Sequence, residues 1–246
     1  MMYDFAIHEW ILVALGAMFV GINKTGIPGI NMIFVPILAV ILPAKESTGF
    51  LLPLLIVGDI FAVAYYKSHT QWRHLLRLLP PSLLGIGAGY FTLRALGDAQ
   101  IKPIIGVIVL LMLAVQAYRS IRKIDESIPK GIWFALIMGF LAGYTTMVAN
   151  AAGPAMAIYL LAMRLPKEQY IGTGAWYFFI VNLAKVPLSA GLGLITAQSL
   201  LTGSVFIPAI ALGAFAGIKL LPLIPQKTFR VIIIVIAAAS AIRLLI

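Results

Sequence analysis

Apolar stretches long enough to cross a lipid bilayer fill almost the whole of this chain. A helix needs about 20 apolar residues to span the roughly 30 Å of hydrocarbon in a membrane. Eight segments meet or approach that length, at 10–42, 47–66, 75–97, 103–118, 131–163, 169–195, 200–221 and 229–246. Of the 246 residues, 62% are hydrophobic and 11% are charged, which is too little polar surface to cover a soluble globule. The sequence therefore predicts an all-α integral membrane protein.

The net charge of +10 reflects membrane topology rather than a nucleic-acid partner. The lysines and arginines cluster in short segments between the apolar stretches, where membrane proteins carry them. The first ten residues contain Asp4 and Glu9 and no basic residue, unlike a secretory signal, so we expect the first apolar segment to be mature protein. With no cysteine and three scattered histidines, we expect neither a disulfide nor a metal or other cofactor.

Features of the first half recur in the second half about 123 to 128 residues later. Asp59, in an Ile-Val-Gly-Asp run, corresponds to Asn182, in an Ile-Val-Asn run. One set recurs with its internal spacing unchanged, namely Pro80, Gly85 and Gly89, which match Pro208, Gly213 and Gly217. We predict two homologous repeats, 1–121 and 131–246, joined by a cytoplasmic linker, 122–130.

Each repeat begins with an apolar segment that is too long for one span and too short for two. Glycine and proline interrupt 10–42 in the run Asn23-Lys-Thr-Gly-Ile-Pro-Gly29, and they interrupt 131–163 at Gly153-Pro154. These residues break helical hydrogen bonding, and the freed backbone groups are tolerated at membrane depth only where they are buried in protein or line a wet cavity. Each segment is either one kinked span or a hairpin that enters and leaves on one side.

Loop charges favour the hairpin. If each broken segment crosses once, each side of the membrane carries eight basic residues; with two hairpins the counts are twelve and four. The hairpin arrangement places both termini outside and gives each repeat three further crossings, so the repeats are inverted. Inverted repeats whose broken helices meet near the midplane are a recurring transporter design. The predicted elements are hairpins 10–42 and 131–163, with spans 47–66, 75–97 and 103–118 in the first repeat and 169–195, 200–221 and 229–246 in the second.

Three ionisable residues in the apolar segments are candidates for function. Asp59 is the only one of the eight acidic residues that lies deep in such a segment, and it is either a proton or cation site or a hydrogen-bonded strut. Lys24 lies in the first break, where the N-terminus of a following half-helix would add positive potential. Lys185 follows Asn182 on one helix face, which Phe179 continues. Either lysine could instead extend to the membrane surface.

Neutral polar residues, among them Thr145 and Thr146, surround the two breaks, and each alone is more typical of helix packing than of a ligand. As a set with the two lysines, they predict an anion site between the breaks. The predicted substrate-binding residues are Asn23, Lys24, Thr25, Gly26, Gly29, Asn31, Asn150, Gly153, Asn182 and Lys185, and the predicted coupling residue is Asp59.

A pattern of glycine, proline and polar residues runs through both halves. In the first it consists of Gly21-Ile-Asn-Lys-Thr-Gly-Ile-Pro-Gly29, Pro36, Leu52-Pro53-Leu54-Leu55, Asp59, Trp72, Leu79-Pro80, Gly85 and Gly89. In the second it consists of Gly153-Pro154, Ile158-Tyr159-Leu160-Leu161, Asn182, Lys185, Pro208, Gly213 and Gly217. This pattern resembles the sulfite exporter TauE/SafE family of membrane permeases over essentially the whole chain. The resemblance implies a permease of the bacterial inner membrane that moves sulfite, thiosulfate or organosulfonates, driven by an ion gradient.

Other functions are open at this level. An anion channel would use the same buried polar residues, and an intramembrane enzyme would need a carboxylate pair or a histidine cluster that the spans lack. A purely structural scaffold would not need two breaks at repeat-related positions. The expected partners are a small anion, a proton or Na⁺ as coupling ion, membrane lipid and a second copy of the chain in a homodimer, with no nucleic acid.

Overall fold

The computed structural model describes residues 2–28, 34, 38, 41–42, 44–97, 100, 131–225, 228–229, 231–232 and 235. The helices among them are α1 (Ile7–Thr25), α2 (Ala44–Tyr66), α3 (Trp72–Ala95), α4 (Ile132–Ala149), α5 (Gly153–Ala162), α6 (Lys167–Gly191), α7 (Ala197–Ser204) and α8 (Ile207–Leu220). Short 3₁₀ turns, Lys67–His69 and Leu221–Leu223, follow α2 and α8. The described residues contain no strand, which confirms the predicted all-α class for that part of the chain. The predicted span 103–118, the linker 122–130 and most of 229–246 lie outside the described residues.

Helix starts follow local side-chain chemistry. At the beginning of α1, the Glu9 carboxylate accepts a 2.8 Å hydrogen bond from the Ala6 N–H. An acid in the first turn also interacts favourably with the positive end of the helix dipole. At the beginning of α7, Thr196 and Ser199 cap each other, with side chain to backbone N–H distances of 3.0 and 2.9 Å. These bonds satisfy backbone donors that the first turn leaves without a helical partner.

Two helical segments in the described part of the chain are long and apolar enough to cross a membrane, Ile7–Thr25 and Glu46–His69. A third candidate is the pair Ala197–Ser204 and Ile207–Leu223, which is bent by 54°. The sequence predicts one continuous span over 200–221. Pro208, in the first turn of α8, explains the bend, because it has no N–H for the Ser204 carbonyl and its ring would clash with that carbonyl.

The chain packs as two compact units. The first consists of Met1–Thr70 and Lys167–Phe229, and the second of Gln71–Pro166 and Arg230–Ile246. The first unit therefore contains α1, α2, α6, α7 and α8, and the second contains α3, α4 and α5. Each unit draws helices from both predicted repeats, so packing contacts do not follow the order of the chain. The repeat boundaries at 1–121 and 131–246 stay a prediction.

The first broken segment turns back on itself. Helix α1 ends at Thr25, and Gly26 departs from helical geometry with φ −137° and ψ −65°. A straight helix would carry residue 34 about 27 Å beyond residue 16, yet the Phe34 ring occupies the position that a Cβ at Gly16 would take. Phe34 and Leu38 are buried in one core with residues of α1 and α2. The chain therefore reverses direction after α1.

The second broken segment reverses as well. Asn150 ends α4 in the left-handed conformation, with φ 52° and ψ 31°, and Gly153 and Pro154 open α5. The rings of Phe134 and Tyr159 stack with their centroids 5.7 Å apart, although a straight helix would separate these residues by roughly 37 Å. The second broken segment thus folds as a pair of helices, and the first turns back after α1. That each segment enters and leaves the membrane on one side stays a prediction.

In the first unit, glycines bring α1 and α8 into backbone contact. The Ile210 carbonyl lies where a Cβ at Gly21 would be, and the Met18 carbonyl lies where a Cβ at Gly213 would be. Small residues permit this approach, and in membranes such close contact is a principal source of helix association. Substituting either glycine would force the two backbones apart.

In the second unit, α4 and α3 meet in the same way at corresponding positions. The Ser82 carbonyl occupies the Cβ position of Gly143, and the Phe140 carbonyl occupies that of Gly85. Gly143 lies 122 residues after Gly21, and Phe140 lies 122 residues after Met18. Likewise, Ile210 lies 128 residues after Ser82, and Gly213 lies 128 residues after Gly85. In each unit, therefore, one helix of a broken segment packs on a second helix in the same register. This correspondence supports the repeat.

Helices α2 and α6 run antiparallel in the first unit. Near the start of α2, Gly49 lies against the carbonyl of Leu194, just beyond the end of α6. Near the start of α6, a Cβ at Gly172 would come 2.7 Å from the carbonyl of Tyr66, at the end of α2. Gly49 and Gly172 are 123 residues apart, which is the spacing of the predicted repeats. An antiparallel pair of equivalent helices is what an inverted repeat requires.

Candidate functional site

Asp59 is fully buried near the middle of the segment Glu46–His69. Its Oδ1 lies 2.7 Å from Nζ of Lys24 in α1. Its Oδ2 accepts a 2.7 Å hydrogen bond from the Nδ2 group of Asn182 in α6. An ionised carboxylate at this depth is costly unless it is paired and hydrogen-bonded. Asp59 has both kinds of partner, and they come from two different helices.

Lys24 turns inward although it lies in the last turn of α1. Its stem passes over Gly58, where a Cβ would lie only 3.0 Å from the Lys24 Cγ. Its ammonium lies 4.4 Å from the centroid of the Phe178 ring, a distance at which cation–π attraction operates. The side chain is 5% exposed, so it does not extend to the surface of this unit.

Lys185 is also buried, with 2% of its surface exposed. Its Nζ lies 3.5 Å from Oδ1 of Asn182, a long hydrogen bond. The Asn182 side chain therefore lies between Asp59 and Lys185, with its amide nitrogen toward the acid and its oxygen toward the ammonium. Two lysines and one aspartate give the cluster a formal charge of +1 when all three are ionised. A cluster of this composition has an electrostatic preference for an additional anion.

Of the predicted site residues, the structure brings together Lys24, Asp59, Asn182 and Lys185, and it gives Thr25 and Gly26 packing contacts. The Thr25 hydroxyl donates to the Ala214 carbonyl over 2.7 Å, and the Thr25 carbonyl accepts a 2.9 Å bond from the Tyr66 hydroxyl. The Gly26 N–H donates to the Ile22 carbonyl over 2.8 Å, closing α1. These groups join helices in this structure, so their predicted contact with substrate has no support from the geometry.

The remaining predicted residues have other locations. Asn23 is half-buried in α1 beside Lys24, and Gly29 and Asn31 lie outside the described residues. Asn150 and Gly153 belong to the second unit, where Asn150 caps α4 and its N–H donates to the Thr146 carbonyl over 3.0 Å. That the two breaks meet at one site stays a prediction.

The sequence analysis does not predict one aromatic residue of the cluster, Phe178. The predicted face of α6 runs through Phe179, but Phe179 packs on Trp176 with ring centroids 6.0 Å apart. The ring beside Lys24 is Phe178, which precedes Asn182 by four residues. A spacing of four places two residues on one helix face as well as a spacing of three does. Helical periodicity alone therefore could not choose between the two phenylalanines.

The fold and the cluster define a class, namely a multi-pass membrane protein that keeps charged side chains buried between apolar helices. Ionisable residues in that setting mark substrate and ion pathways. In the described part of the chain, no group of three or more histidine and acidic residues could hold a metal ion.

Comparison with known proteins identifies the family. The model of the family described as Sulfite exporter TauE/SafE matches residues 12–244. The chain belongs to this family, as its glycine and proline pattern indicates, and it is therefore a membrane transporter of the sulfite or anion exporter type. No curated protein and no solved structure matches the chain.

Proposed function

We propose that this protein is a secondary transporter of a small sulfur-containing anion, such as sulfite, thiosulfate or an organosulfonate, across the bacterial inner membrane. The observation that carries the proposal is the buried cluster of Lys24, Lys185 and Asp59. A positive excess in a low-dielectric interior is unfavourable, and an incoming anion relieves it. The cluster therefore favours anionic cargo over cationic cargo.

The two lysines approach one acid–amide pair from different helices. Lys24 contacts Asp59, and Lys185 contacts Asn182. An oxyanion that enters this cluster would accept hydrogen bonds from both ammonium groups. Because charge-assisted bonds are the strong ones, we assign Lys24 and Lys185 as the main anion ligands. Asp59 is the coupling residue, because its negative charge repels an anionic substrate.

The two ends of the first unit differ in charge, which supports the proposed orientation. One end contains Lys67, Lys167 and Lys219, and it is tied together by hydrogen bonds of 3.0 Å from Lys167 Nζ to the carbonyls of Leu221 and Ile224. The opposite end contains Asp4, Glu9 and Glu46, and the hydroxyl of Tyr3 donates to Glu46 there. By the positive-inside rule, the lysine end faces the cytoplasm and the N-terminal end faces outward.

Transport by purified protein in liposomes tests the proposal. Labelled thiosulfate and sulfite uptake is compared between the parent protein, Lys24→Gln, Lys185→Gln and the control Lys219→Gln, whose lysine is exposed on α8. We expect the first two substitutions to lower uptake by at least about tenfold, a loss of roughly 1.4 kcal/mol in binding, and the control to transport normally. Parent-level transport by both site variants would refute the assignment. Single-channel currents in a planar bilayer would indicate an anion channel instead.

A further inference from the structure

We propose that a divalent anion binds together with one proton, and that the Asp59 carboxylate takes up this proton. This inference rests on the proposed function of the cluster as an anion site, and it names the coupling ion. It begins from the count of charges. Two lysines balance a dianion only if Asp59 is neutral, whereas two lysines and an ionised Asp59 together balance a monoanion.

The Asp59 carboxylate and a bound dianion would compete for the ammonium group of Lys24. Lys24 Nζ lies 2.7 Å from Asp59 Oδ1, which is direct ion-pair contact. A dianion within hydrogen-bonding distance of the same ammonium would place negative charge close to the carboxylate. In a buried site that repulsion is screened weakly. One of the two negative groups must therefore move away or lose its charge.

The structure offers Asp59 little room to move away. It lies within α2, it is fully buried, and its second oxygen accepts the bond from Asn182. The same amide is also held by Lys185, whose Nζ lies 3.5 Å from its oxygen. A displacement of the carboxylate away from Lys24 would strain or break the 2.7 Å bond that it accepts from Asn182. Protonation leaves the carboxyl in place and removes only its charge.

The described groups near Asp59 that could take the proton in its stead are two buried amines, and the substitution Asp59→Asn separates proton uptake at the carboxyl from uptake at an amine. The ionisable side chains that face Asp59 are Lys24 from α1 and Lys185 from α6. Helix α7 has no ionisable residue, and the one in α8 is Lys219, which is exposed and lies 4.4 Å from the Phe215 ring centroid. Tyr66, later in α2, donates to the Thr25 carbonyl. The proton therefore comes from the solution on the side from which the anion enters, and only the O–H bond of Asp59 forms.

A pair of probe anions tests this inference without any substitution. Thiosulfate is divalent and methanesulfonate is monovalent from pH 5.5 to pH 8.5, so neither changes its own charge in this range. For the purified parent protein we expect thiosulfate Kd to rise about tenfold per pH unit, with uptake of about one proton per anion bound. Methanesulfonate should bind with a pH-independent Kd and without proton uptake.

Asp59→Asn assigns the proton. Glu46→Gln is the matched control, because it makes the same change in an acid that accepts a hydrogen bond from Tyr3 in the first turn of α2. Asp59→Asn should bind thiosulfate with a pH-independent Kd and no proton uptake, and Glu46→Gln should behave as the parent. The inference would fail, and the proposed function would stand, if the parent bound thiosulfate with a pH-independent Kd or if proton uptake persisted in Asp59→Asn. Failure of both anions to bind at every pH would overturn the proposed function as well.

Discussion

The side-chain amide of Asn182 donates to the Asp59 carboxylate over 2.7 Å, and so joins two positions that are 123 residues apart in the chain. These are the positions that correspond in the two predicted repeats. The bond lies where the antiparallel helices α2 and α6 cross, between the glycine contacts at their ends. Lys24 contacts the carboxylate of this pair, and Lys185 contacts its amide.

The ion pair predicts a characteristic result for single and double substitutions. Lys24→Gln leaves the Asp59 carboxylate buried without its cation, and we expect a loss of about 3 to 5 kcal/mol in the free energy of unfolding. Lys24→Gln combined with Asp59→Asn removes both charges, and it should recover most of that loss. Unfolding of the purified variants in detergent measures both. Equal stability of the single and double variants would show that the pair does not couple the two helices.

Two glycines of α3 provide a matched test of helix contact. A Cβ at Gly85 would lie 2.7 Å from the Tyr144 backbone nitrogen, whereas a Cβ at Gly87 would meet nothing within 4 Å. Gly85→Ala should therefore destabilise the second unit by about 1 to 3 kcal/mol through overpacking. Gly87→Ala should be neutral, or stabilising by up to about 1 kcal/mol, because alanine favours helix. Thermal unfolding compares the two, and equal effects would contradict the described contact of α3 with α4.

The hydrogen bond from Tyr66 to the Thr25 carbonyl fastens the end of α1 beside Lys24. Tyr66→Phe leaves that carbonyl without this donor, and we expect it to cost about 1 to 2 kcal/mol and to weaken thiosulfate binding. Tyr65→Phe is the control, since Tyr65 is 55% exposed. Titration calorimetry and unfolding measure the two effects. A Tyr66→Phe protein that matches its control in both would mean that this bond does not position Lys24.

Tyr3 predicts a loss of stability at high pH. Burial, followed by the hydrogen bond and the charge of Glu46, raises the pKa of Tyr3 from 10.0 to about 12. The folded protein thus keeps the proton that the unfolded chain releases near pH 10, so this contribution is complete below pH 10 and is lost as the pH rises toward 12. The stability difference between the parent and Tyr3→Phe should shrink across that range. A difference that is constant from pH 9 to pH 11 would be inconsistent with the raised pKa.

Orientation can be read with single cysteines, since the chain has none. Ser68→Cys lies in the turn at the lysine end, and Ala197→Cys lies at the opposite end of the first unit. A membrane-impermeant maleimide should label Ala197→Cys in intact cells and Ser68→Cys only after permeabilisation. The reverse pattern would invert the proposed topology.

Some of the fold follows from the sequence because it depends on local chemistry. The breaks near Gly26 and Asn150 are visible because glycine and proline act on their own stretch of backbone. The bend between α7 and α8 does not follow from the sequence, although Pro208 belongs to the recurring pattern. A proline in a hydrophobic run either kinks a span or opens a new helix, and its neighbours alone do not decide which.

The site was predictable in part for a similar reason. Burial of Asp59 follows from its apolar surroundings, and its correspondence with Asn182 follows from the predicted repeat. That Lys24 pairs with Asp59 and lies over Phe178 depends on how α1, α2 and α6 are rotated about their axes. Helical periodicity fixes which residues share a face but not which neighbouring helix that face meets.

The difference between Asp59 and Asn182 has a consequence for the transport cycle. In a transporter made of inverted repeats, the outward-open and inward-open states arise when the repeats exchange conformations. If positions 59 and 182 held the same residue, the exchange could leave the energy at this point unchanged. Here one position holds an acid and the other a neutral amide, so the ion pair to α1 has no charged equivalent. If the predicted repeats exchange in this way, the two end states differ in energy, and we expect the empty carrier to rest with its gate open mainly to one side of the membrane.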